Sequence, residues 1–241
     1  MRFIVEPSPA GGYHVRLLGT DAPLSHHDTE EEAEARRQAY ERGAAEPRGE
    51  LVDLPDGSEV LVRPVRPQDK PLFVAGWEHF GAESRYRRFM GHKAALSTRE
   101  LEFFTELDHV DHEAIGALDP RTGEGLGVAR YMRNRAQPDS AEAAVAVIDA
   151  WQGRGLGGVL LRRLCRRASA NGIRTFTASL LTGNRSMLAL FERLGAVRTR
   201  GFEGGVLEID VELPVDEVGV LLRSAATGHV GHAGERPHRR G

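Results

Sequence analysis

The stretch that most constrains the fold runs from Ala141 to Ala168 and reads AEAAVAVIDAWQGRGLGGVLLRRLCRRA. It begins with an apolar run that includes Val145, Val147 and Ile148, which predicts a buried strand. Trp151 to Gly158 is rich in glycine and predicts a turn. After the turn an apolar residue recurs at every fourth position, as on one face of a helix: Leu156, Leu160, Leu164 and Ala168. We therefore expect a strand, a glycine turn and a helix in direct succession.

The glycine turn is a candidate binding site for an anion. Gly153, Gly155 and Gly157 lack a Cβ atom, so the backbone can approach a ligand closely. The first N–H groups of the following helix have no partner inside it, and the helix dipole favours negative charge beside them. Arg154 can add a charged guanidinium fork. These features predict that the turn holds a phosphate group.

Other interpretations of this turn compete. Gly153, Gly155 and Gly158 also fit the dinucleotide-binding pattern G-x-G-x-x-G, although no acidic residue closes the next predicted strand, where a ribose would need one. A P-loop is excluded because no G-K-[ST] follows. A glycine-rich turn that binds nothing is the remaining alternative.

Composition bounds the class of protein. The 241 residues are 40% hydrophobic and 28% charged, which is typical of a soluble globular protein with one full domain and a small extra piece. A net charge of -3 favours neither nucleic acid nor an anionic membrane as a partner. No apolar run approaches the length of about 18 residues that a membrane span needs, and we find no signal peptide. Cys165 is the only cysteine and cannot form an internal disulfide, so we predict a cytoplasmic location.

The chain divides into three predicted parts. Residues 1–50 read as a small ββα unit of unknown role, with short strands on either side of Gly11-Gly12 and a helix whose start carries the capping box Thr29 and Glu32. Residues 51–213 form the main domain, and residues 214–241 form a tail that we expect to be largely disordered.

Local patterns in the main domain predict the ends and faces of several elements. Ser97 and Glu100 form a second capping box, and Asn184 caps a predicted helix. From Leu207 to Leu213 apolar residues alternate with acidic ones, which predicts a strand with one buried face.

Two histidines in the main domain raise the question of a metal. His109 and His112 lie in a run that also contains Asp108, Asp111 and Glu113. No third and fourth ligand with suitable spacing occurs elsewhere in the sequence. We therefore predict a loop that enters a strand, and no metal site.

The chain resembles the GNAT superfamily of acyl-CoA-dependent N-acyltransferases. The six residues QGRGLG, Gln152 to Gly157, match its Q-x-x-G-x-G/A signature, and Asn184 to Ala196 resembles its next helix. Upstream, ESRYRRFM, LDHVDHEA and GVARYMR resemble the Pat-type branch, which are bacterial protein lysine acetyltransferases. The resemblance covers about Leu51 to Leu213.

This resemblance implies an α/β (α+β) GNAT fold, with a central mixed, mostly antiparallel twisted sheet flanked by helices. It implies acetyl-CoA as co-substrate and no metal. The pantetheine arm would pair with the backbone of Val147, Ile148 and Asp149, and Asn184 would contact it. The pyrophosphate would sit on the turn, on Gln152, Gly153, Arg154, Gly155, Leu156, Gly157 and Gly158. By the same resemblance, the helices that carry Arg85, Tyr86, Arg88 and Phe89 would shape the acceptor pocket.

Acyl transfer to an amine needs a base, because a lysine with its ordinary pKa of about 10.4 is mostly protonated at neutral pH. Glu142 opens the central strand and, by the resemblance, stands where Pat-type proteins carry their catalytic glutamate. An ordinary strand-edge glutamate is the alternative. Many GNAT proteins use a tyrosine as general acid, but Phe191 and no tyrosine occurs in the helix after Asn184. We therefore expect the thiolate to leave unassisted or to take a proton from water.

These inferences predict an enzyme that transfers an acetyl group from acetyl-CoA to a primary amine. A protein lysine is the first candidate acceptor and a small-molecule amine is the second. A non-catalytic acyl-CoA sensor is the alternative outside enzymes. An open acceptor groove would favour a protein, and a closed, charged pocket would favour a small amine. The oligomeric state does not follow from the sequence.

Overall fold

The computed structural model describes residues 2–18, 23–45, 49–89 and 95–214, so the predicted tail beyond Pro214 lies outside the described residues. Within those ranges the chain forms two β-sheets and six α-helices. The strands are β1 (Phe3–Pro7), β2 (Tyr13–Leu17), β3 (Pro23–His27), β4 (Glu50–Asp53), β5 (Glu59–Pro64), β6 (His112–Leu118), β7 (Gly125–Arg133), β8 (Ser140–Val147), β9 (Thr175–Leu181), β10 (Val197–Glu203) and β11 (Val206–Glu212). The helices are α1 (Glu30–Ala45), α2 (Lys70–Glu78), α3 (Ala82–Phe89), α4 (Thr98–Thr105), α5 (Leu156–Ala170) and α6 (Arg185–Glu192). None of the helices in these ranges is long and apolar enough to cross a membrane.

The small sheet has three antiparallel strands in the order β1-β2-β3, followed by α1. The sequence predicted the first two strands and missed β3, because PLSHH has neither β-branched residues nor a regular alternation of apolar and polar residues. The capping box at the start of α1 is confirmed, since Thr29 and Glu32 exchange side-chain and backbone hydrogen bonds. Apolar side chains of this unit share one buried cluster with Trp77 of α2 and Leu101 of α4.

The main sheet has eight strands in the order β10-β11-β9-β8-β7-β6-β5-β4. Every neighbouring pair is antiparallel except β8 and β9, which are parallel and joined through α5. The predicted mixed, mostly antiparallel sheet is therefore confirmed. In β11 the predicted alternation is confirmed as well, because Ile209 and Val211 are buried and Glu208 and Glu212 are exposed.

Helix α5 covers one face of the main sheet. The four residues of its predicted apolar stripe, from Leu156 to Ala168, are all at most 1% exposed. They share the large core with Ala129 of β7 and with Ala143 and Val145 of β8. Side chains that alternate with these along β7 and β8 point to the opposite face of the sheet.

Helices α2 and α4 lie on the opposite face, at the β5–β7 side of the sheet. Helix α4 begins with the predicted capping box, in which Ser97 and Glu100 exchange hydrogen bonds. Beside α2, Arg63 of β5 makes two hydrogen bonds to the Asp69 carboxylate, of 2.6 and 2.7 Å, and both side chains are buried. Among the described residues these helices do not cover β9 and β11, whose side chains on this face are half-buried or exposed and, apart from Leu181 and Val206, mostly polar.

Candidate active site

Strands β8 and β9 separate part of the way along their length. Their parallel ladder contains three residue pairs, Ser140–Thr175, Ala141–Phe176 and Glu142–Thr177, yet β8 continues to Val147 and β9 to Leu181. A groove of about 660 Å³ opens where they part, and residues 143–147 of β8 line it. Backbone N–H and C=O groups on this edge of β8 lie outside the β8–β9 ladder and can pair with an extended ligand.

The glycine turn lies at the open end of the groove. Gly153 and Gly155 have φ angles of 76° and 88°, which favour glycine. A Cβ atom on Gly155 would lie 2.9 Å from Cδ of Pro55 in the β4–β5 turn. Gly153 is therefore favoured by its backbone angle alone, whereas Gly155 is favoured both by its backbone angle and by the close approach of Pro55.

Helix α5 starts at this turn, with Gly155 as its N-cap residue. The first helical hydrogen bond is donated by Val159 to the Gly155 carbonyl, at 3.2 Å. The backbone N–H groups of Leu156, Gly157 and Gly158 precede that bond and need acceptors from outside the helix. The three residues line the groove, where an anion could bind to them.

The side chain of Gln152 folds back onto the chain that precedes the turn. Its Nε2 donates to the Val147 carbonyl and to the Asp149 carboxylate, both at 3.1 Å, and to Ser84 Oγ at 3.3 Å. The Asp149 carboxylate in turn accepts from the Gly81 backbone N–H at 3.0 Å and from Ser84 Oγ at 2.6 Å. The turn and the start of α3 are thus joined by one polar network, and no pattern in the sequence indicates that Gly81 and Ser84 belong to it.

Arg154 reaches across the mouth of the groove. Its guanidinium lies 4.7 Å from the ring centre of Trp151, and its Nη1 is 3.8 Å from Oδ2 of Asp56 in the β4–β5 turn. Hydrogen bonds from the hydroxyl and the backbone N–H of Ser58 lower the pKa of Asp56, and the charge of Arg154 lowers it further. At 42% exposure, the Arg154 side chain is accessible to a bound anion.

The opposite wall of the groove comes from β9 and α6. Asn184 accepts from the Met187 backbone N–H at 3.2 Å, which confirms it as the N-cap of α6. Phe191 is 1% exposed and also lines the groove.

The structure brings most of the predicted cofactor residues to this groove. Nine of them line it: Val147, Gln152, Gly153, Arg154, Gly155, Leu156, Gly157, Gly158 and Asn184. Ile148 is 8% exposed and instead lines an apolar cavity beneath α2, and the Asp149 side chain binds α3. A cofactor-binding role stays a prediction for all eleven residues.

Glu142 lies just beyond the end of the groove at which β8 and β9 pair, and it is not one of the lining residues. It belongs to the last residue pair of the β8–β9 ladder and directly precedes Ala143, the first residue of β8 that lines the groove. Its side chain is exposed and alternates with the buried Ala141 and Ala143, so it points to the face opposite α5.

Of the predicted acceptor residues on α3, Tyr86 is 43% exposed, whereas the side chains of Arg85, Arg88 and Phe89 lie outside the described residues.

The two histidines considered for a metal contact different partners. His109 Nδ1 lies 2.8 Å from Oε1 of Glu113, which is fully buried. His112 Nε2 lies 2.6 Å from an Arg130 guanidinium nitrogen. Burial, and then the charge of Arg130, lower the pKa of His112 to about 4, so the ring is neutral at pH 7. In the part of the chain that the structure describes, no group of three or more potential ligands surrounds a common point.

A family model and two curated relatives that match this chain are all acetyltransferases. The model of the acetyltransferase (GNAT) family matches residues 79–196. The acetyltransferase Pat of Mycolicibacterium smegmatis is 36% identical over 169 residues, which are 69% of this chain and 50% of that protein. An acetyltransferase of Pseudomonas aeruginosa is 32% identical over 152 residues, which are 62% of this chain and 81% of that protein.

A solved structure shows the same fold. The GNAT domain of the S. lividans protein PAT superimposes with a TM-score of 0.63 at 34% identity, over 68% of this chain and 96% of that domain. The chain thus covers nearly the whole of one solved GNAT domain, but it spans only half the length of the M. smegmatis relative.

Proposed function

The chain belongs to the GNAT acetyltransferase family, and we propose that it transfers an acetyl group from acetyl-CoA to the side-chain amine of a protein lysine. The observation that carries this proposal is the parting of β8 and β9 directly after Glu142, with the glycine turn at the other end of the same groove. A linear thioester that lies between the strands, with its phosphates at the turn, would have its reacting end beside Glu142.

The residues present suit each part of acetyl-CoA. The N–H groups of Leu156, Gly157 and Gly158, with the dipole of α5 behind them, would bind the pyrophosphate. The free edge of β8 supplies backbone donors and acceptors for the amide groups of the pantetheine arm. Asn184 and the apolar side chains of α6 would form the other wall.

Glu142 is the proposed general base. It would accept a proton from the acceptor ammonium, directly or through a water, and so leave a lone pair on the amine nitrogen. The nitrogen then forms a bond to the thioester carbonyl carbon and gives its second proton to water, and the carbon–sulfur bond breaks. The thiolate leaves with the electron pair and takes a proton from water. Backbone N–H groups on the free edge of β8 would stabilise the negative charge on the carbonyl oxygen.

The exposure of Glu142 supports a protein acceptor over a small amine. Its side chain lies on a face of the sheet whose neighbouring side chains on β7, β9 and β11 are exposed or half-buried in the described structure. A lysine in a protein segment can reach a carboxylate on such an open face, whereas a small amine generally binds in a concave pocket that surrounds it.

A calorimetric titration followed by a transfer assay tests the proposal. Wild type should bind acetyl-CoA with a Kd of about 1 μM, which corresponds to about -8 kcal/mol, and should not bind NAD. Gly155→Glu should abolish binding, because it adds a bulky negative charge next to Pro55 at the anion site. Gly123→Glu is the matched control, since Gly123 also has a positive φ but lies in the β6–β7 turn with open space around it.

Each outcome of these experiments has a distinct meaning. Failure to bind acetyl-CoA would contradict the proposal. Binding without transfer to any peptide or small amine would favour the acyl-CoA sensor. Transfer to a small amine, such as a polyamine, but to no lysine peptide would favour the second acceptor class. The division of the chain at residues 50 and 213 and its cytoplasmic location stay predictions.

A further inference from the structure

A row of side chains crosses the main sheet through Glu142. Cross-strand partners point to the same face, and the register of five neighbouring strands aligns one residue from each: His112, Met132, Glu142, Thr177 and Asp210. Adjacent strands lie about 4.8 Å apart. The Cα atom of Met132 is therefore about 5 Å from that of Glu142 on one side, and the Cα atom of Asp210 is about 10 Å from it on the other side. The side chains next to the proposed base therefore differ between the β7 side and the β11 side of the row.

The β7 side of the row is apolar and exposed. Met132 is 42% exposed and Phe103 of α4 is 44% exposed. The Phe103 ring is held in place, because its centre lies 4.8 Å from that of His112 and 4.9 Å from the buried Arg130 guanidinium. The low pKa of His112 keeps this side free of an added positive charge at neutral pH. Exposed aromatic and methionine side chains beside a site are typical of contact surfaces.

The β11 side of the row is acidic. Asp210 shares its face with Glu208 and Glu212, which lie two residues before and two residues after it along β11. Arg198 of β10 is 4.0 Å from Glu212. Arg200 Nε is 3.5 Å from Oδ1 of Asp210, which is longer than a charge-assisted hydrogen bond. This Oδ1 is buried and accepts no hydrogen bond from any described residue. The Asp210 side chain as a whole is 34% exposed, so a cation from outside the chain could bind the accessible part of its carboxylate.

We propose that this face is the docking surface for the acceptor segment, in which an apolar side chain contacts Phe103 and Met132 on one side of the lysine and a cationic side chain contacts Asp210 on the other. This inference rests on the proposed function and specifies its substrate class. The occupant is a segment of another protein, because its lysine must reach Glu142 while flanking residues contact both sides of the row. A face with an apolar half and an acidic half also fixes the direction of that segment.

Acceptor peptides that share one central lysine test this inference. An extended chain rises about 3.3 Å per residue, so the apolar neighbour belongs one or two positions from the lysine and the cation about three positions away on the other side. Leucine and arginine are placed there in both orientations, and serine replaces each in the reference peptides. In one orientation, leucine should raise kcat/KM about tenfold and arginine about fivefold. Glutamate in place of arginine should lower it below the serine reference.

Variants of the surface connect each preference to a side chain. Asp210→Lys should reverse the charge preference, so that the glutamate peptide becomes the better substrate. Asp210→Asn, which conserves the shape, should remove the preference without reversing it, and Met132→Asp should remove only the gain from leucine. Glu124→Lys is the matched control, because it makes the same charge change in the exposed β6–β7 turn, away from the row. It should leave both preferences unchanged.

Two results would overturn the inference. One is equal acetylation of all peptides, and the other is an arginine preference that persists in both Asp210 variants. If wild type binds acetyl-CoA and acetylates no peptide at all, the proposed function fails, which is distinguishable from the loss of flanking preferences alone.

Discussion

Glu142 and Thr177 are the last partners of the parallel ladder between β8 and β9, and the groove opens at the next residue of β8. The Glu142 side chain is exposed on the face opposite α5, whereas the turn that would bind phosphates lies at the start of α5. The two ends of the proposed site are thus connected by the free edge of a single strand. This relationship makes separate predictions for binding and for catalysis.

Glu142→Gln should impair catalysis without impairing the binding of acetyl-CoA. We expect the Kd for acetyl-CoA to stay within about twofold of wild type and kcat to fall by about 10²- to 10⁴-fold, the usual contribution of a general base. Calorimetry and a steady-state acetylation assay measure the two quantities. Glu203→Gln, an exposed glutamate near the β10–β11 hairpin turn, is the control and should leave both unchanged. Wild-type turnover in Glu142→Gln would make Glu142 an ordinary strand-edge residue.

Gly155→Ala should weaken acetyl-CoA binding by about tenfold or more. An alanine at φ 88° costs about 1–2 kcal/mol, and its Cβ would lie 2.9 Å from Pro55, so the turn must move. Gly123→Ala is the matched control, because φ there is 72° and nothing lies within 4 Å of the added atom. It should cost a similar stability and leave the Kd unchanged. Equal Kd values for the two variants, measured by calorimetry, would show that the position of the Gly155 backbone does not matter for binding.

Local patterns in the sequence predicted the elements that form this site. The spacing of four residues from Leu156 to Ala168 identified the buried face of α5, and the alternation in β11 identified the buried face of that strand. Caps at Ser97 and Asn184 were also correct. Each of these features depends on residues within one helix or along one strand, where periodicity is informative.

The contacts between distant segments could not be predicted in this way. Gly81 and Ser84 bind the Asp149 carboxylate across a long sequence separation, and Pro55 limits the space at Gly155. No periodicity records such contacts, because they follow from how the elements assemble. The early parting of β8 and β9 is of the same kind, since both strands read as regular strands in the sequence.

The titration of His112 should make stability depend on pH. Its pKa is about 4 in the folded protein, mainly through burial and then through Arg130, against an ordinary value of 6.5. Between these values the unfolded chain binds more protons than the folded one, so protonation favours unfolding and stability falls as the pH is lowered from 6.5 towards 4. The slope from this group is at most about 1.4 kcal/mol per pH unit.

His112→Gln tests this dependence, because it removes the titrating group and leaves a side chain that can still accept from Arg130. Urea unfolding at several pH values should show a flatter pH dependence in the variant between pH 6.5 and 4. Above pH 6.5 the difference in free energy of unfolding between wild type and variant should be constant. Parallel curves across the whole range would contradict the low pKa of the folded state.

Asp69→Asn should destabilise the protein by about 3–5 kcal/mol, the usual cost of removing one partner of a buried ion pair. The Arg63 and Asp69 side chains are only 3% and 7% exposed, and the carboxylate also accepts from the Arg66 backbone N–H at 2.8 Å. The variant leaves the Arg63 charge buried beside a neutral amide.

Glu212→Gln is the control for Asp69→Asn, since the pair of Glu212 with Arg198 is 4.0 Å long and both side chains are largely exposed. That change should alter the free energy of unfolding by less than about 1 kcal/mol. If urea unfolding gave equal losses for the two variants, the Arg63–Asp69 pair would contribute no more to stability than an exposed one.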